Sequence, residues 1–161
     1  MTLSRRTLIA AVAAVPLLAS LPAMAAETAI DVSLWESPDM DMATGLGYGM
    51  NGDTTAANMG ITLSTSTVPA GPVTLNVVND GPDLVHEMVV SPTKAEGTPL
   101  PFDADLDKVL EDEAGHLGEV AELDPGQKGA LTLELDAGQY ILYCNIEGHY
   151  GAGMWTLLTV E

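Results

Sequence analysis

The only cysteine of this 161-residue chain is followed closely by a histidine and a methionine. Four residues separate Cys144 from His149, four more separate His149 from Met154, and the segment is rich in glycine. A thiolate, an imidazole and a thioether on one short segment form a soft donor set that suits copper. Copper sites that transfer single electrons use two histidines, one cysteine and a weak axial methionine, so a further histidine is expected, and His86 is the candidate.

Each of these residues also has an ordinary structural interpretation. A lone cysteine is often an inert buried residue, and a methionine is commonly core packing. A loop histidine can simply lie at the surface. The occurrence of Cys144, His149 and Met154 together in one glycine-rich segment favours a metal site over three independent structural roles.

The elements that must position these donors are strands. Apolar and aromatic residues at 140–144 predict a strand that ends at the thiolate, and residues 154–160 predict the next strand. The donors are therefore expected on the connection between two strands, at one end of a sheet.

The remainder of the chain has the same strand-like character. Eight runs with period-two apolar residues predict strands. They span residues 28–34, 60–66, 73–79, 87–91, 118–123, 130–135, 139–144 and 154–160. Turn residues at 69–72, 79–82 and 124–126 separate several of them. This pattern predicts an all-β fold, an antiparallel sandwich or barrel, in place of alternating helices and strands.

One segment of the chain has a different period. Leu106, Val109 and Leu110 fall at helical spacing among acidic residues at 103–114. The spacing predicts a short amphipathic helix inserted between strands.

The C-terminal segment also carries a family resemblance. Residues 138–160 closely resemble the copper loop of the cupredoxins, and residues 77–87 are similar to the strand, turn and first histidine of that family. The loop spacing is most similar to the rusticyanin, auracyanin and sulfocyanin branch, whereas plastocyanin and azurin loops are spaced differently. The resemblance covers about residues 60–161.

The resemblance implies a Greek-key β-sandwich that binds one type 1 copper. It makes His86, Cys144 and His149 the equatorial ligands, makes Met154 the long axial ligand, and makes His149 the ligand whose edge approaches solvent. Glu87 departs from the pattern, since azurins and plastocyanins usually have an asparagine there that braces the two ligand loops. A carboxylate can still accept hydrogen bonds from backbone amides.

The first 25 residues predict an export signal. Arg5 and Arg6 precede an apolar stretch at 8–21, and small residues at 23–25 form a cleavage pattern. The paired arginines resemble a twin-arginine signal, although a general secretory signal also carries basic residues. The apolar stretch is short and is interrupted by proline, which argues against a stable membrane span.

Removal of the signal leaves residues 26–161, which are enough for a single domain. The mature chain is therefore expected to be a periplasmic, monomeric protein. A lone cysteine cannot form an internal disulfide there, so the stability of the fold must come from its core and from the metal when it is bound.

The charge of the chain constrains its partners. There are 23 acidic and 5 basic residues, and removal of Arg5 and Arg6 leaves a formal net charge of −20. This charge argues against nucleic acid and anionic membrane as partners. A basic patch on a cytochrome or oxidase would be attracted, but a generally solvated acidic surface, as in proteins adapted to salt, is equally consistent.

These observations predict a protein that carries single electrons between redox partners by Cu(II)/Cu(I) cycling. The alternative is a periplasmic copper-binding protein for copper resistance, delivery or storage. That alternative could use Met40, Met42, Met50 and Met59 as a second, soft Cu(I) site. Segment 35–59, which contains them, is otherwise a flap whose methionines pack near the copper end.

An enzymatic function is not expected. A copper oxidase or nitrite reductase would need further metal ligands, and only His116 remains after His86 and His149. His116 follows the predicted helix with no ligand-like partner nearby in the sequence, so we expect it to be a surface or capping residue.

Overall fold

The computed structural model describes residues 27–38, 42–50, 52 and 54–161. Its strands, numbered in chain order, are β1 (Thr28–Glu36), β2 (Met59–Leu63), β3 (Thr67–Val68), β4 (Gly71–Asn79), β5 (His86–Pro92), β6 (Phe102–Asp103), β7 (Lys108–Val109), β8 (Gly118–Leu123), β9 (Lys128–Leu135), β10 (Gly138–Tyr143) and β11 (Trp155–Val160). One 3₁₀ turn covers Thr54–Ala56, and one α-helical turn, α1, covers Glu111–Ala114. The predicted export signal lies outside the described residues.

Two sheets form a β-sandwich. One has the order β2-β1-β4-β9 and the other has the order β3-β11-β10-β5-β8. Strand β1 pairs in parallel with β4, and β11 pairs in parallel with β3, while the other strand pairs are antiparallel. The predicted all-β class is confirmed, and of the sandwich and barrel alternatives the fold is a sandwich. The expected antiparallel pairing is wrong for β1 with β4 and for β11 with β3. All eight predicted strands form with shifts of a few residues at their ends.

The main core lies between the two sheets. Successive side chains of β1 and β4 point to opposite faces of their sheet, so every second side chain is buried. On β1 these include Ile30, Val32 and Leu34. These side chains pack against inward residues of the opposite sheet, including Met88, Leu142 and Leu158. Burial of this apolar surface provides the main stabilisation of the sandwich.

Strand β10 is buried on both faces. A second group of apolar side chains, here called the outer cluster, covers the side of its sheet that faces away from the main core. The buried members of this cluster are Tyr48, Val89, Leu100, Val109, Ala114, Ile141, Tyr143 and Tyr150. The outer cluster explains why the sequence of β10 is an unbroken apolar run, whereas Cys144, directly after β10, is enclosed by the main core.

The predicted helix at 103–114 is wrong for most of its length. Strands β6 and β7 form a two-stranded ribbon there, and only the last turn is helical. The Asp103 carboxylate accepts hydrogen bonds from the backbone N–H groups of Asp105 and Leu106, and Asp107 has a positive φ of 50°. An aspartate that bonds the backbone two or three residues ahead stabilises a turn in competition with a helix.

Candidate metal centre

Three adjacent strands bring the predicted donors to one end of the five-stranded sheet. His86 is the first residue of β5, Cys144 directly follows β10, and Met154 directly precedes β11. Because β10 pairs with both β5 and β11, these positions meet at the same edge, as the sequence predicted. His149 lies on the connection between β10 and β11.

The side chains of His86, Cys144 and His149 converge. The His149 Nδ1 atom lies 3.2 Å from His86 Nδ1 and 3.3 Å from Cys144 Sγ, and all three donor atoms lie within 4.8 Å of one another. A metal bound about 2 Å from three coplanar donors separates those donors by about 3.5 Å. The triangle therefore fits a single metal ion of the size of copper.

The three donors are shielded from water to different extents. His86 and Cys144 have no exposed surface, and His149 is 5% exposed. His149 is thus the member of the triangle nearest to solvent, in agreement with the expected position of its edge.

Burial sets the protonation of the donors in the metal-free protein. It raises the pKa of the Cys144 thiol to about 12, and it lowers the pKa of His149 to about 4, where the neighbouring His86 adds to the effect. Burial also lowers the pKa of His86, although Glu36 opposes this. Both imidazoles are therefore neutral at pH 7 and can offer a lone pair, whereas the thiol must lose its proton when a metal binds.

Met154 is held by the backbone of the connection between β10 and β11, residues 144–154, here called the ligand loop after its predicted donors. Its N–H donates to the carbonyl of His149 at 3.0 Å, and its carbonyl accepts from the N–H of Cys144 at 3.1 Å. Its side chain is fully buried in the main core together with Cys144. This places Met154 beside the triangle, and its role as the axial ligand stays a prediction.

Glu87 braces the ligand loops, although it replaces the usual asparagine. Its carboxylate accepts a hydrogen bond of 3.1 Å from the N–H of Asn145, and its own N–H points at Cys144 Sγ from 3.5 Å. Burial, followed by the nearby Glu111 and Glu119, raises the pKa of Glu87. The carboxylate thus accepts a backbone hydrogen bond, as the sequence suggested that it could.

Asn145 ties the ligand loop to the β6–β7 ribbon. Its side-chain oxygen accepts from the N–H of Val109 at 2.7 Å, and its amide nitrogen donates to Val109 O at 3.0 Å and to a Glu111 oxygen at 2.7 Å. The sequence analysis did not identify this residue. Its position directly after Cys144, a predicted donor, is the only local signal, because its partners lie more than 30 residues away.

Asn79 holds the loop that leads to His86. This fully buried side chain donates to the carbonyls of Leu84 and Leu123, each at 2.8 Å, and accepts from the N–H of Gly81 at 2.9 Å. Two of these three hydrogen bonds reach the loop before β5 and the third reaches the end of β8, so Asn79 fixes the path of the backbone into β5.

A buried glutamate contacts the first histidine. Glu36, at the end of β1, is 7% exposed, and its Oε2 atom lies 2.6 Å from His86 Nε2. Its Oε1 atom accepts hydrogen bonds of 2.9 Å from the N–H groups of Asp83 and Leu84. Burial raises the pKa of Glu36, but the hydrogen bonds from these two amides and from His86 together outweigh it, so the pKa is lowered and the carboxylate is ionised.

The sequence analysis missed Glu36, although a signal was present. Residues 30, 32, 34 and 36 share the inward face of β1, so the alternation that buries Leu34 also buries Glu36. A carboxylate on the inward face of a strand requires a buried partner.

His116 has partners that were not expected. Its Nδ1 atom lies 4.0 Å from a Glu111 oxygen, and its Nε2 atom lies 3.7 Å from a Glu119 oxygen. The predicted surface location is correct, since about a third of the side chain is exposed. The expectation that it lacks ligand-like partners is wrong, because α1 and β8 bring two carboxylates to it.

The described methionines of segment 35–59 occupy three different environments. Met59 is buried in the main core, Met50 packs against the outer cluster, and Met42 is 45% exposed. A methyl group added at Gly148 would lie 2.6 Å from the Met42 Cε atom, so Met42 covers part of the ligand loop. This distribution favours packing over a shared Cu(I) site for these three residues, and Met40 lies outside the described residues.

Trp155 has a packing role beside the centre. Its ring lies edge-to-face with Tyr48 at a centroid distance of 5.1 Å, and its indole N–H donates to the carbonyl of Leu46 at 2.7 Å. These contacts hold segment 42–50 against the outer face of the sheet. They give Trp155 a packing role in the molecule.

Within the described ranges, no helix is long and apolar enough to cross a membrane.

Comparison with known proteins gives matches in structure only. No sequence model of a known protein family and no curated protein matches the chain. Auracyanin from the photosynthetic bacterium Roseiflexus castenholzii, in a dithionite-reduced form, aligns with a TM-score of 0.52 and 18% identity, over 83% of this chain and 97% of auracyanin. Rusticyanin from Thiobacillus ferrooxidans aligns with a TM-score of 0.54 and 13% identity, over 84% and 77% of the two chains. Auracyanin B aligns with a TM-score of 0.50 and 24% identity, over 84% and 89%.

These alignments span nearly all of the described chain. At these identities they establish the fold, and the resemblance expected from the ligand loop is confirmed at that level. The chain has the cupredoxin fold, with a buried His-Cys-His triangle at one end of its sandwich.

Proposed function

We propose that this protein is an exported type 1 copper protein that carries single electrons between redox partners. The observation that carries the proposal is the convergence of His86 Nδ1, Cys144 Sγ and His149 Nδ1 in one buried triangle. The fold supports it, because the triangle lies at the end of a cupredoxin sandwich. Copper bound there would alternate between Cu(II) and Cu(I), and Met154 would be its weak axial ligand.

The protein contributes a rigid and largely dry set of donors. Asn79 holds the loop before His86, and Glu87 and Asn145 hold the loop after Cys144. The Glu87 N–H directed at Cys144 Sγ stabilises negative charge on the sulfur. Since these contacts lie outside the donor triangle, the donors can keep their positions when the charge of the centre changes, which favours fast electron exchange.

The partners would approach the His149 end of the molecule. His149 is the donor nearest to solvent, and Glu147, two residues before it, is exposed. The whole chain has 23 acidic residues, so its negative electrostatic potential favours a redox partner with a basic docking patch, such as a cytochrome or oxidase. The N-terminal sequence supports export to the periplasm.

A role in copper resistance, delivery or storage is the rival proposal, and it would use the same triangle. Met42, Met50 and Met59 lie in separate environments, so these three residues do not provide the second Cu(I) site that a copper-handling protein could use. The two proposals differ in what leaves the protein. A carrier keeps its copper through repeated oxidation and reduction, whereas a copper-handling protein passes the ion to an acceptor.

Titration of the purified protein with one equivalent of Cu(II) tests the proposal. We expect an intense visible band and the narrow copper hyperfine splitting of a thiolate site in electron paramagnetic resonance. Cys144→Ser should abolish both, and His116→Ala, at the surface, should change neither. Weak colour with ordinary tetragonal copper parameters, or equal colour in Cys144→Ser, would refute the proposed centre.

A further inference from the structure

The Glu36 carboxylate connects the two sheets at the proposed centre. Glu36 belongs to the four-stranded sheet and His86 to the five-stranded sheet, and their side chains meet at 2.6 Å. Burial of an ionised carboxylate is unfavourable unless hydrogen bonds replace the lost water. Glu36 Oε1 accepts two such bonds from backbone N–H groups, and Oε2 lies within hydrogen-bond distance of His86 Nε2.

The backbone opposite Glu36 leaves space for this carboxylate. Gly81 is buried, and a methyl group added there would overlap the Glu36 Oε2 atom. The loop before β5 therefore contributes two amides that bind one carboxylate oxygen and a glycine that makes room for the other. The contact between Glu36 and His86 therefore depends on the inward-facing position of Glu36 on β1, on the two backbone amides and on Gly81.

An ionised carboxylate determines which nitrogen of His86 carries the proton. It can only accept hydrogen bonds, so the short contact requires a proton on His86 Nε2. A neutral imidazole then has its lone pair on Nδ1, the atom that faces His149 and Cys144. The partner of the remote nitrogen commonly fixes the tautomer and orientation of a histidine that binds a metal.

We propose that Glu36 is a positioning residue of the metal centre, which fixes His86 as the Nε2–H tautomer, directs Nδ1 at the metal and places a negative charge one imidazole ring away. This inference rests on the proposed copper site. The charge of Glu36 stabilises Cu(II) relative to Cu(I), so Glu36 lowers the reduction potential of the centre.

The variant Glu36→Gln separates this role from simple space filling. A glutamine has one acceptor oxygen, and the two N–H groups of Asp83 and Leu84 compete for it with a single imidazole N–H. With the oxygen on these two amides, the glutamine NH₂ faces His86 Nε2, which must then accept. The imidazole proton moves to Nδ1, where it competes with the metal.

Nitrogen-15 NMR of histidine-labelled, metal-free protein tests the tautomer without copper. We expect Nε2–H for His86 in the wild type and Nδ1–H in Glu36→Gln. The control is Asp83→Asn, which removes an equal charge from an exposed neighbouring side chain and should leave the tautomer unchanged. An Nδ1–H tautomer in the wild type, or an unchanged tautomer in Glu36→Gln, would overturn the proposal.

The copper-loaded protein provides a second measurement. We expect Glu36→Gln to bind Cu(II) about 10–100-fold more weakly and to have a higher reduction potential. Asp83→Asn should cause much smaller changes in Cu(II) affinity and reduction potential. If its changes were as large as those of Glu36→Gln, the loss of any nearby negative charge would explain them, and the positioning role of Glu36 would be overturned. If the wild type forms no blue centre, the proposed function fails, and the NMR result still decides whether Glu36 positions His86.

The variant Gly81→Ala provides a test that leaves the carboxyl group in the chain. The added methyl group displaces the carboxylate from His86, so we expect the same direction of change in tautomer and in Cu(II) affinity as for Glu36→Gln. Circular dichroism establishes that each variant is folded before the comparison is made. Wild-type Cu(II) affinity and tautomer in folded Gly81→Ala would contradict the proposal.

Discussion

Replacement of Asn79 by aspartate is a nearly isosteric change at the loop that leads to His86. The Asn79 amide nitrogen donates to two carbonyls, those of Leu84 and Leu123, each at 2.8 Å. An aspartate keeps the acceptor for the Gly81 N–H but places a second oxygen against these two carbonyl oxygens. The side chain has no exposed surface, so water cannot compensate.

The expected loss of stability follows from these contacts. A buried polar group left without its partner costs about 1 to 3 kcal/mol, and two carbonyls lose their donor in Asn79→Asp. We therefore expect the free energy of unfolding to fall by about 4 kcal/mol, a large part of the about 5 to 15 kcal/mol of an ordinary domain. The loop before β5 should loosen at the same time, which weakens Cu(II) binding through His86.

Urea unfolding of the metal-free protein measures this loss, and the same strand provides a control. Asn76 is exposed, and its amide makes one contact of 3.5 Å, with Asp31. Asn76→Asp should therefore lower the free energy of unfolding by at most about 1 kcal/mol. With a slope of about 2 kcal/mol per molar urea, Asn79→Asp should shift the midpoint by about 2 M. Equal midpoints for the two variants would refute the bracing role of Asn79.

Two further predictions concern the donors themselves. Met154→Gln should retain a coloured copper site with a lower reduction potential, and an unchanged potential in a redox titration would remove Met154 from the axial position. In the unfolded chain the pKa of His149 is about 6.5, whereas in the folded protein burial and the neighbouring His86 lower this pKa to about 4. Between these pH values the unfolded chain binds a proton that the folded protein does not. The metal-free protein should therefore lose up to about 3 kcal/mol of stability as the pH falls from 6.5 to 4. Urea unfolding at several pH values should show a smaller loss in His149→Gln, and an equal loss in both proteins would contradict this assignment.

Local spacing explains why the donor set was predictable. Cys144, His149 and Met154 lie on one connection between neighbouring strands, so short-range sequence was enough to predict that they share one end of a sheet. His86 was predicted from the chemistry of the set and from the family resemblance. The structure brings it to the triangle because β5 pairs with β10.

The failed helix prediction shows the limit of periodicity. Leu106 and Leu110 are exposed, and of the three spaced apolar residues only Val109 is buried. The side chain of Asn145 occupies both the N–H and the carbonyl of Val109, from 36 residues away. A tertiary contact of this kind leaves no trace in the local pattern of apolar residues, so the pattern at 103–114 was misleading.

The sequence by itself determined the all-β class, because alternation of apolar residues is a local property of each strand. It also determined the donor types, because they are properties of single residues at short spacing. Only the tertiary structure decided what surrounds the donors. The contact between Glu36 and His86 joins residues 50 positions apart in two different sheets, and it forms because the two sheets pack face to face. Which nitrogen of His86 faces Cys144 and His149 therefore depends on the packing of the sandwich.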